Sequence, residues 1–373
     1  MDISFHYCAV KTLALEAGFE DAYAEVIATF SQYIDDFNWI THIKCDNIPE
    51  WIKNHPDLDL FVPNSSSNFN PTTTGFINMV DYAWLVTSGA QKFTVSPFHF
   101  IPQHSRTLTW GKDARTTPAS IGDHSFIGSN LRKAKTEFLT SRLLDPHAPP
   151  ILSIDLALMQ IGMLLHTFAD TYAHQLFNGY NAWVNNVEVT NVTDLTTGAD
   201  ITHEMLLAIQ ESLSEAENKS NDIIEIGHMK AGHTPDLTYV SFSMNYKRES
   251  ADSSRSMRYT RSNVVEFVKV SREILNYLRS LRNLHIIEDD AWDILRAKLT
   301  VAFLKHYKAS DHFSKHHDNW KSVFPEYDYR YNKEHLESQL KPHSDDYYTD
   351  WFYYFNYFAA MHLTSIYGSK PRK

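Results

Sequence analysis

Apolar side chains recur at helical spacing along most of the chain and predict a mainly α-helical protein. The strongest periodic segments are 2–17, 20–35 and 151–177, and Gly18 follows the first where a helix would end. Ser129 is a suitable N-cap for one of the other helices that the pattern predicts. Those helices cover residues 129–143, 203–217, 262–283, 288–307 and 345–367.

Polar and irregular segments interrupt this pattern and predict long loops with a small β insertion. These irregular segments lie at about residues 56–76, 103–123, 178–202 and 240–261. A β-like run also occurs within 91–102, and residues 183–197 are typical of a hairpin or a long loop. No compositional break marks a domain boundary, so we expect one α-helical domain over residues 1–373, folded as a multi-helix bundle.

Composition and charge exclude several classes of protein. Hydrophobic residues make up 43% of the chain, too many for a disordered protein. The net charge of −11 argues against binding to duplex DNA, which needs a basic surface. The apolar run at 151–165 contains Asp155 and is too short to span a membrane. With two cysteines and no secretory leader, we expect a cytoplasmic protein that acts on a small molecule, and a homo-oligomer is left open.

The most informative motif lies on the most apolar helix. His166, Asp170 and His174 follow one another at intervals of four residues, so their side chains share one face. Ionisable groups on a buried helix are costly unless they are paired or bind a metal. One carboxylate between two imidazoles suits Zn²⁺. The alternative is a hydrogen-bonded His–Asp–His network without a metal.

Further metal-ligand residue types occur elsewhere in the chain. Asp2 and His6 lie one helical turn apart, and His99 lies between two prolines. Each has an ordinary structural alternative, such as a first-turn cap or a core histidine. Together with the central motif, they predict one metal cluster. The complete set of candidate ligands is Asp2, His6, Asp35, His99, His166, Asp170, His174, His228, His233 and Asp236.

Several of these segments resemble known families. The opening MDISFHYCAVKTLALEAGF, followed by SQYIDD, PFHFIP, HTFADTYAHQ and GHMKAGHTPD, is similar to an uncharacterised bacterial family of about this length. The order of the candidate ligands also resembles the superfamily of zinc-dependent phospholipases C and fungal single-strand nucleases. That resemblance implies an all-α fold with three zinc ions in a cleft.

The superfamily pattern assigns ligands to particular positions of this chain. It implies His6 as the N-terminal histidine, Asp35 as the early carboxylate and His99 as the loop histidine, with His166 and Asp170 as the central pair. It places a third ion on His174 and His228. The superfamily begins with a Trp whose amino group binds zinc. This chain begins Met-Asp, so Asp2 is expected to replace that amine, and His233 or Asp236 supplies the last ligand.

Such a cluster predicts a metal-dependent hydrolase acting on a small phosphoester, because two or three divalent ions activate water and neutralise phosphate charge. Asp35 and Asp170 are the candidate catalytic carboxylates. Cations at Arg106, Lys112 and Arg115 are candidates for substrate binding, although a solvated surface is their ordinary alternative. Iron or manganese in place of zinc would favour an amidase, a lyase or an oxygenase. A metal-stabilised binding protein is the non-catalytic alternative.

Overall fold

The protein is mainly α-helical, with a small antiparallel β-sheet. The computed structural model describes residues 1–38, 43–44, 48–53, 68–69, 71–75, 91–102, 115–144, 152–220, 225–246, 258–308, 311–341 and 348–367. Among these residues, no helix combines the length and the apolarity that a membrane crossing needs.

The helices largely follow the hydrophobic pattern. A π-helical segment, Ser4–Ala9, leads directly into the first α-helix. The α-helices are α1 (Val10–Glu16), α2 (Asp21–Asp36), α3 (Glu50–Lys53), α4 (Ser96–His99), α5 (Phe126–Thr140), α6 (Ile154–Ala173), α7 (Thr202–Ser220), α8 (Asn263–Leu281), α9 (Asp289–Phe303), α10 (Phe313–Lys321), α11 (Lys333–Leu340) and α12 (Asp350–Tyr367). The predicted N-cap at Ser129 is wrong: Ser125 caps α5 and accepts a hydrogen bond from the Gly128 amide.

The strands lie mainly inside the predicted insertions. Their bounds are β1 (Ile43–Lys44), β2 (Asn68–Phe69), β3 (Val187–Asp194), β4 (Val240–Tyr246) and β5 (Arg258–Ser262). Strands β3, β4 and β5 form one antiparallel sheet in that order, with Val187 opposite Tyr246 and Ser241 opposite Ser262. The predicted small β insertion is therefore confirmed: β3 pairs with the distant strand β4, and its end also folds back locally through an antiparallel bridge between Thr193 and Asp200.

The strand predicted within 91–102 is wrong. Residues Gln91–Val95 form a π-helical turn, and α4 follows with Pro97 in its first turn. Proline suits the first turn of a helix because its missing N–H would have no partner there. The helical course places His99 at the end of α4, where its side chain meets α6.

Helix α6 forms the centre of the main hydrophobic core. It begins after Ser153, which caps it, and it packs against α2, α4, α5, α8 and α12. The two helices α6 and α2 approach each other closely at Gly162, where a Cβ atom would lie 2.2 Å from the Ile27 carbonyl oxygen. A second hydrophobic cluster lies around the β-sheet and includes Val189, Phe242 and Phe177. The His/Asp motif of α6 thus lies deep in the protein.

Candidate metal centre

Asp170 of α6 is the hub of a buried polar cluster, and only 1% of its side chain is exposed. Its Oδ1 accepts a 2.6 Å hydrogen bond from the Met1 α-amine and lies 3.1 Å from His6 Nε2. Its Oδ2 lies 3.2 Å from His166 Nε2 and 3.3 Å from His99 Nδ1. One carboxylate therefore joins α6 to the chain start and to α4.

Asp35, in the last turn of α2, completes what we call the first group: Asp35, His99, His166 and Asp170. Its Oδ1 lies 3.6 Å from His99 Nδ1 and 3.7 Å from His166 Nε2. Burial raises the pKa of Asp35 well above its usual value, and the Asp170 carboxylate adds to this against the opposing charge of the Met1 amine. The Asp35 side chain is still 21% exposed, so this edge of the group is open.

The outer nitrogens of the two imidazoles fix the inner ones as hydrogen-bond acceptors. His166 Nδ1 donates to the Ser31 carbonyl oxygen at 2.8 Å, and His99 Nε2 donates to the Thr74 carbonyl oxygen at 2.7 Å. Because a carbonyl oxygen only accepts, the proton of each neutral ring lies on its outer nitrogen. The inner nitrogens, 3.2 Å apart, therefore direct lone pairs at each other and at Asp170 Oδ2. Two imidazole nitrogens and a carboxylate oxygen thus converge at one point, an arrangement that suits a bound metal ion.

Burial keeps two imidazoles of the cluster, those of His6 and His166, neutral near neutral pH. Burial, which outweighs the attraction of Asp170, lowers the pKa of His166 to about 4. Burial and the neighbouring His166 lower the pKa of His6 well below its usual value. Burial opposes ionisation of Asp170, but the nearby histidines and the Met1 amine outweigh it and hold the pKa of Asp170 well below its usual value. The cluster thus combines the neutral imidazoles of His6 and His166 with the ionised carboxylate of Asp170.

A second group consists of His174, His228 and Asp236. Asp236 Oδ1 lies 3.0 Å from His174 Nε2, and its Oδ2 lies 3.2 Å from His228 Nε2. The outer nitrogens again donate to carbonyl oxygens, from His174 Nδ1 to His99 at 2.6 Å and from His228 Nδ1 to Gly232 at 2.8 Å. The second group therefore repeats the arrangement of the first, with two inner lone pairs directed at one carboxylate.

The α-amine of Met1 lies between the two groups. It is 2.6 Å from Asp170 Oδ1, 3.2 Å from Asp236 Oδ1 and 3.5 Å from His174 Nε2. Burial would lower the pKa of this amine, but the surrounding carboxylates outweigh burial and raise it to about 11. As an ammonium ion, it offsets part of the negative charge that the carboxylates concentrate here.

Two predicted ligands are not part of these groups. Asp2 was expected to replace a terminal amine, but the Met1 amine itself lies beside His6 and Asp170. The Asp2 carboxylate accepts a hydrogen bond from the Ser4 amide instead, as a cap at the start of a helix does. His233 is exposed and follows the turn at Gly232 (φ +54°), and Asp236 is the carboxylate of the second group.

The predicted substrate-binding cations are not part of these groups either. Arg106 and Lys112 lie outside the described residues. Arg115 is half-buried, and its charge acts on Tyr246 of β4. The structure thus does not place Arg115 in the first or the second group.

Sequence reasoning also missed several contributors to the site. Phe100 stacks on His174, with ring centroids 4.5 Å apart and planes at 19°. The sequence signal that could have identified Phe100 was its position next to His99 in PFHFIP. Ser31 and Thr74 orient histidines through backbone carbonyl oxygens, so their side chains gave no signal.

Comparisons with known proteins give one match. A family model described as a family of unknown function (DUF6765) matches residues 1–366. No curated protein and no solved structure matches the chain.

Proposed function

We propose that this chain, which belongs to the DUF6765 family of unknown function, is a metal-dependent hydrolase that acts on a small phosphoester. The observation that carries the proposal is the convergence of acceptor atoms in the first group. Two imidazole lone pairs and two carboxylates meet there, and the outer nitrogens of both rings donate to carbonyl oxygens. Histidine ligands of metals are oriented in the same way by their outer N–H groups.

The residues present fit zinc, which takes imidazole nitrogens and carboxylate oxygens. Asp35, His99, His166 and Asp170 would hold one ion. His174, His228 and Asp236 would hold a second and leave a position open, as catalytic sites do. His6 and Asp170, beside the Met1 nitrogen, offer a third position. Two or three ions are therefore expected.

This arrangement also supports kinship with the zinc-dependent phospholipase C and nuclease superfamily. A terminal amine beside a histidine and the central aspartate is what the resemblance implies for one of its zinc ions, and the Met1 ammonium ion would have to release its proton before binding one. The remaining ligands follow in the implied chain order, with Asp35 and His99 before His166.

When bound, such ions would lower the pKa of a water ligand and neutralise charge on a phosphoryl group. Through the carboxylate oxygen that does not bind the ion, Asp35 is suited to orient the attacking water and take its proton, because its side chain lies at the open edge. Asp170 stays ionised and holds His6, His99 and His166 together.

Burial favours a small substrate. Asp35 and His228 are the most exposed members of the two groups, with side chains 21% and 17% exposed. His6 and His166 are fully buried. A phosphoester group can approach the open edge, whereas a bulky substrate could not reach the inner atoms.

The test combines metal analysis with hydrolysis assays. Purified protein should contain two or three zinc equivalents by elemental mass spectrometry and hydrolyse p-nitrophenyl or bis-p-nitrophenyl phosphate. Asp170→Asn keeps the shape but removes the shared charge. It should lose bound metal and at least about 100-fold in kcat/KM, more than the loss of an outer-sphere contact. Asp155→Asn, in the first turn of the same helix, is the matched control and should change neither quantity.

The alternatives give different results. Iron or manganese would move the chemistry toward an amidase, a lyase or an oxygenase. Zinc without hydrolysis across a broad phosphoester panel would favour a metal-stabilised binding protein, which the burial of His6 and His166 also suits. No metal after reconstitution would exclude the proposal.

A further inference from the structure

Arg261 is a buried cation that lies behind the second group. It belongs to β5, is 6% exposed and lies over the Phe242 ring, with the guanidinium carbon 5.2 Å from the ring centroid. No carboxylate lies within ion-pair distance of it in the part of the chain that the structure describes. A charged group without such a partner is costly to bury. The hydrogen bonds of Arg261 must therefore offset a considerable cost.

These hydrogen bonds join the two segments that carry the second group. Nη1 donates to the Tyr172 carbonyl oxygen at 2.9 Å, two residues before His174. Nη2 donates to the Pro235 carbonyl oxygen at 2.8 Å, one residue before Asp236. The planar guanidinium thus holds the C-terminal end of α6 against the segment that supplies Asp236.

Asn263, two residues after Arg261, also binds the segment that supplies Asp236. Its Nδ2 donates to the carbonyl oxygens of Thr234 at 2.8 Å and Leu237 at 2.7 Å, and the side chain is fully buried. Arg261 and Asn263 together bind three of the carbonyl groups around Asp236. The Asp236 segment has no regular secondary structure, so these bonds replace the rigidity that a helix or strand would give.

We infer that Arg261 is a positioning residue for the second group: it sets the spacing between His174 and Asp236 and thereby the affinity of that group for its metal ion. The inference rests on the proposed function, because it concerns the same ions. Metal sites tolerate displacements of only about 0.5 Å. The bridge spans two backbone segments, so its loss would act on the separation of His174 Nε2 and Asp236 Oδ1, which is 3.0 Å.

The test variant is Arg261→Lys. Lysine keeps the charge, but its ammonium is a single point and does not match the planar fork that reaches both carbonyl groups. Zinc binding to the metal-free full chain should show one ion weakened by about 10-fold or more, in the range seen for outer-sphere changes. The ion of the first group should keep its affinity. Arg258→Lys, an exposed position of the same strand, is the matched control and should leave every affinity unchanged.

A second experiment, carried out in the His228→Ala variant, distinguishes a positioning role of Arg261 from a general loss of stability. His228→Ala removes a ligand of the second group. In that background, Arg261→Lys should have no further effect on zinc binding, because the affected site is already lost. Equal weakening of all ions, or an undiminished effect in the His228→Ala background, would overturn the inference.

Asn263→Ser provides an independent variant, because it removes hydrogen bonds to the Asp236 segment without altering a charged residue. It should weaken the same single ion. If neither Arg261→Lys nor Asn263→Ser gives a folded protein by circular dichroism, these residues serve the whole core and the inference is wrong. If the unaltered chain binds no zinc, the proposed function fails. If the unaltered chain binds its ions and Arg261→Lys binds them equally well, only the present inference fails.

Discussion

The hydrogen bond on one side of an imidazole ring determines what the other side can do. His99, His166, His174 and His228 each donate an outer N–H to a backbone carbonyl oxygen, and each inner nitrogen is left with a lone pair. His6 differs, because its buried Nδ1 has no hydrogen-bond partner among the described residues. The sequence pattern pointed to these histidines, but their backbone acceptors depend on the fold and cannot be read from the sequence.

His362 is a buried histidine outside the metal groups, and it allows a prediction about pH. Its Nε2 donates to the Pro97 carbonyl oxygen at 2.8 Å, and burial lowers its pKa to about 4. In the unfolded chain, a histidine takes up a proton near pH 6.5. Between these two values, unfolding takes up a proton, so the free energy of unfolding falls as the pH falls from about 6.5 toward 4.

His362→Gln removes this proton uptake. Between pH 7 and pH 5, the variant should therefore lose about 2 kcal/mol less unfolding free energy than the unaltered protein. Urea denaturation at the two pH values measures the difference. His285→Gln, at an exposed position, is the control and should follow the unaltered protein. Equal losses in the His362→Gln variant and the unaltered protein would show that His362 does not titrate as described.

At the scale of elements, the site depends on how closely α2 approaches α6. Helix α2 supplies Asp35, and α6 supplies His166 and Asp170. Gly162 permits the approach, since an added Cβ would lie 2.2 Å from the Ile27 carbonyl oxygen. Hydrophobic periodicity predicted both helices, whereas the distance between them follows from tertiary packing at one glycine.

Gly162→Ala should push these two helices apart. The clash involves backbone atoms, which side-chain rotation does not relieve, so we expect a loss of about 1–3 kcal/mol in unfolding free energy. Zinc binding by the first group should weaken as well, because Asp35 moves relative to His166. Gly122→Ala is the control, since an added Cβ there meets nothing within 4 Å. Unchanged stability and zinc affinity in Gly162→Ala would contradict the proposed role of this contact.

The strand wrongly predicted within 91–102 shows where local patterns fail. Thr94 and Val95 are β-branched and favour a strand when they are read alone. In the fold, Thr94 Oγ1 donates to the Thr73 carbonyl oxygen, and Pro97 begins α4. Tertiary contacts thus overrode the local preference and placed His99 at a helix end.

At the scale of the whole molecule, five distant parts of the chain form one centre. The candidate ligands come from the segments at His6, Asp35, His99, 166–174 and 228–236. The sequence predicted most of these residues, but spacing alone left His233 and Asp236 as alternatives. In the fold, His233 is exposed beside the turn at Gly232, with φ +54°, whereas Asp236 is buried.

Because the ligands are far apart in sequence, bound ions should stabilise the whole fold. A ligand that binds only the folded state at 100 times its Kd adds about 2.7 kcal/mol, which corresponds to roughly 3 °C in Tm for each bound ion in a chain of this size. Chelation by EDTA should therefore lower the Tm by about this amount without unfolding the protein at 25 °C, since the Met1 ammonium still pairs with Asp170 and Asp236. Asp170→Asn should show a much smaller shift, whereas Asp155→Asn should behave like the unaltered protein. An identical Tm for the unaltered chain with and without EDTA would mean that no ion joins these segments.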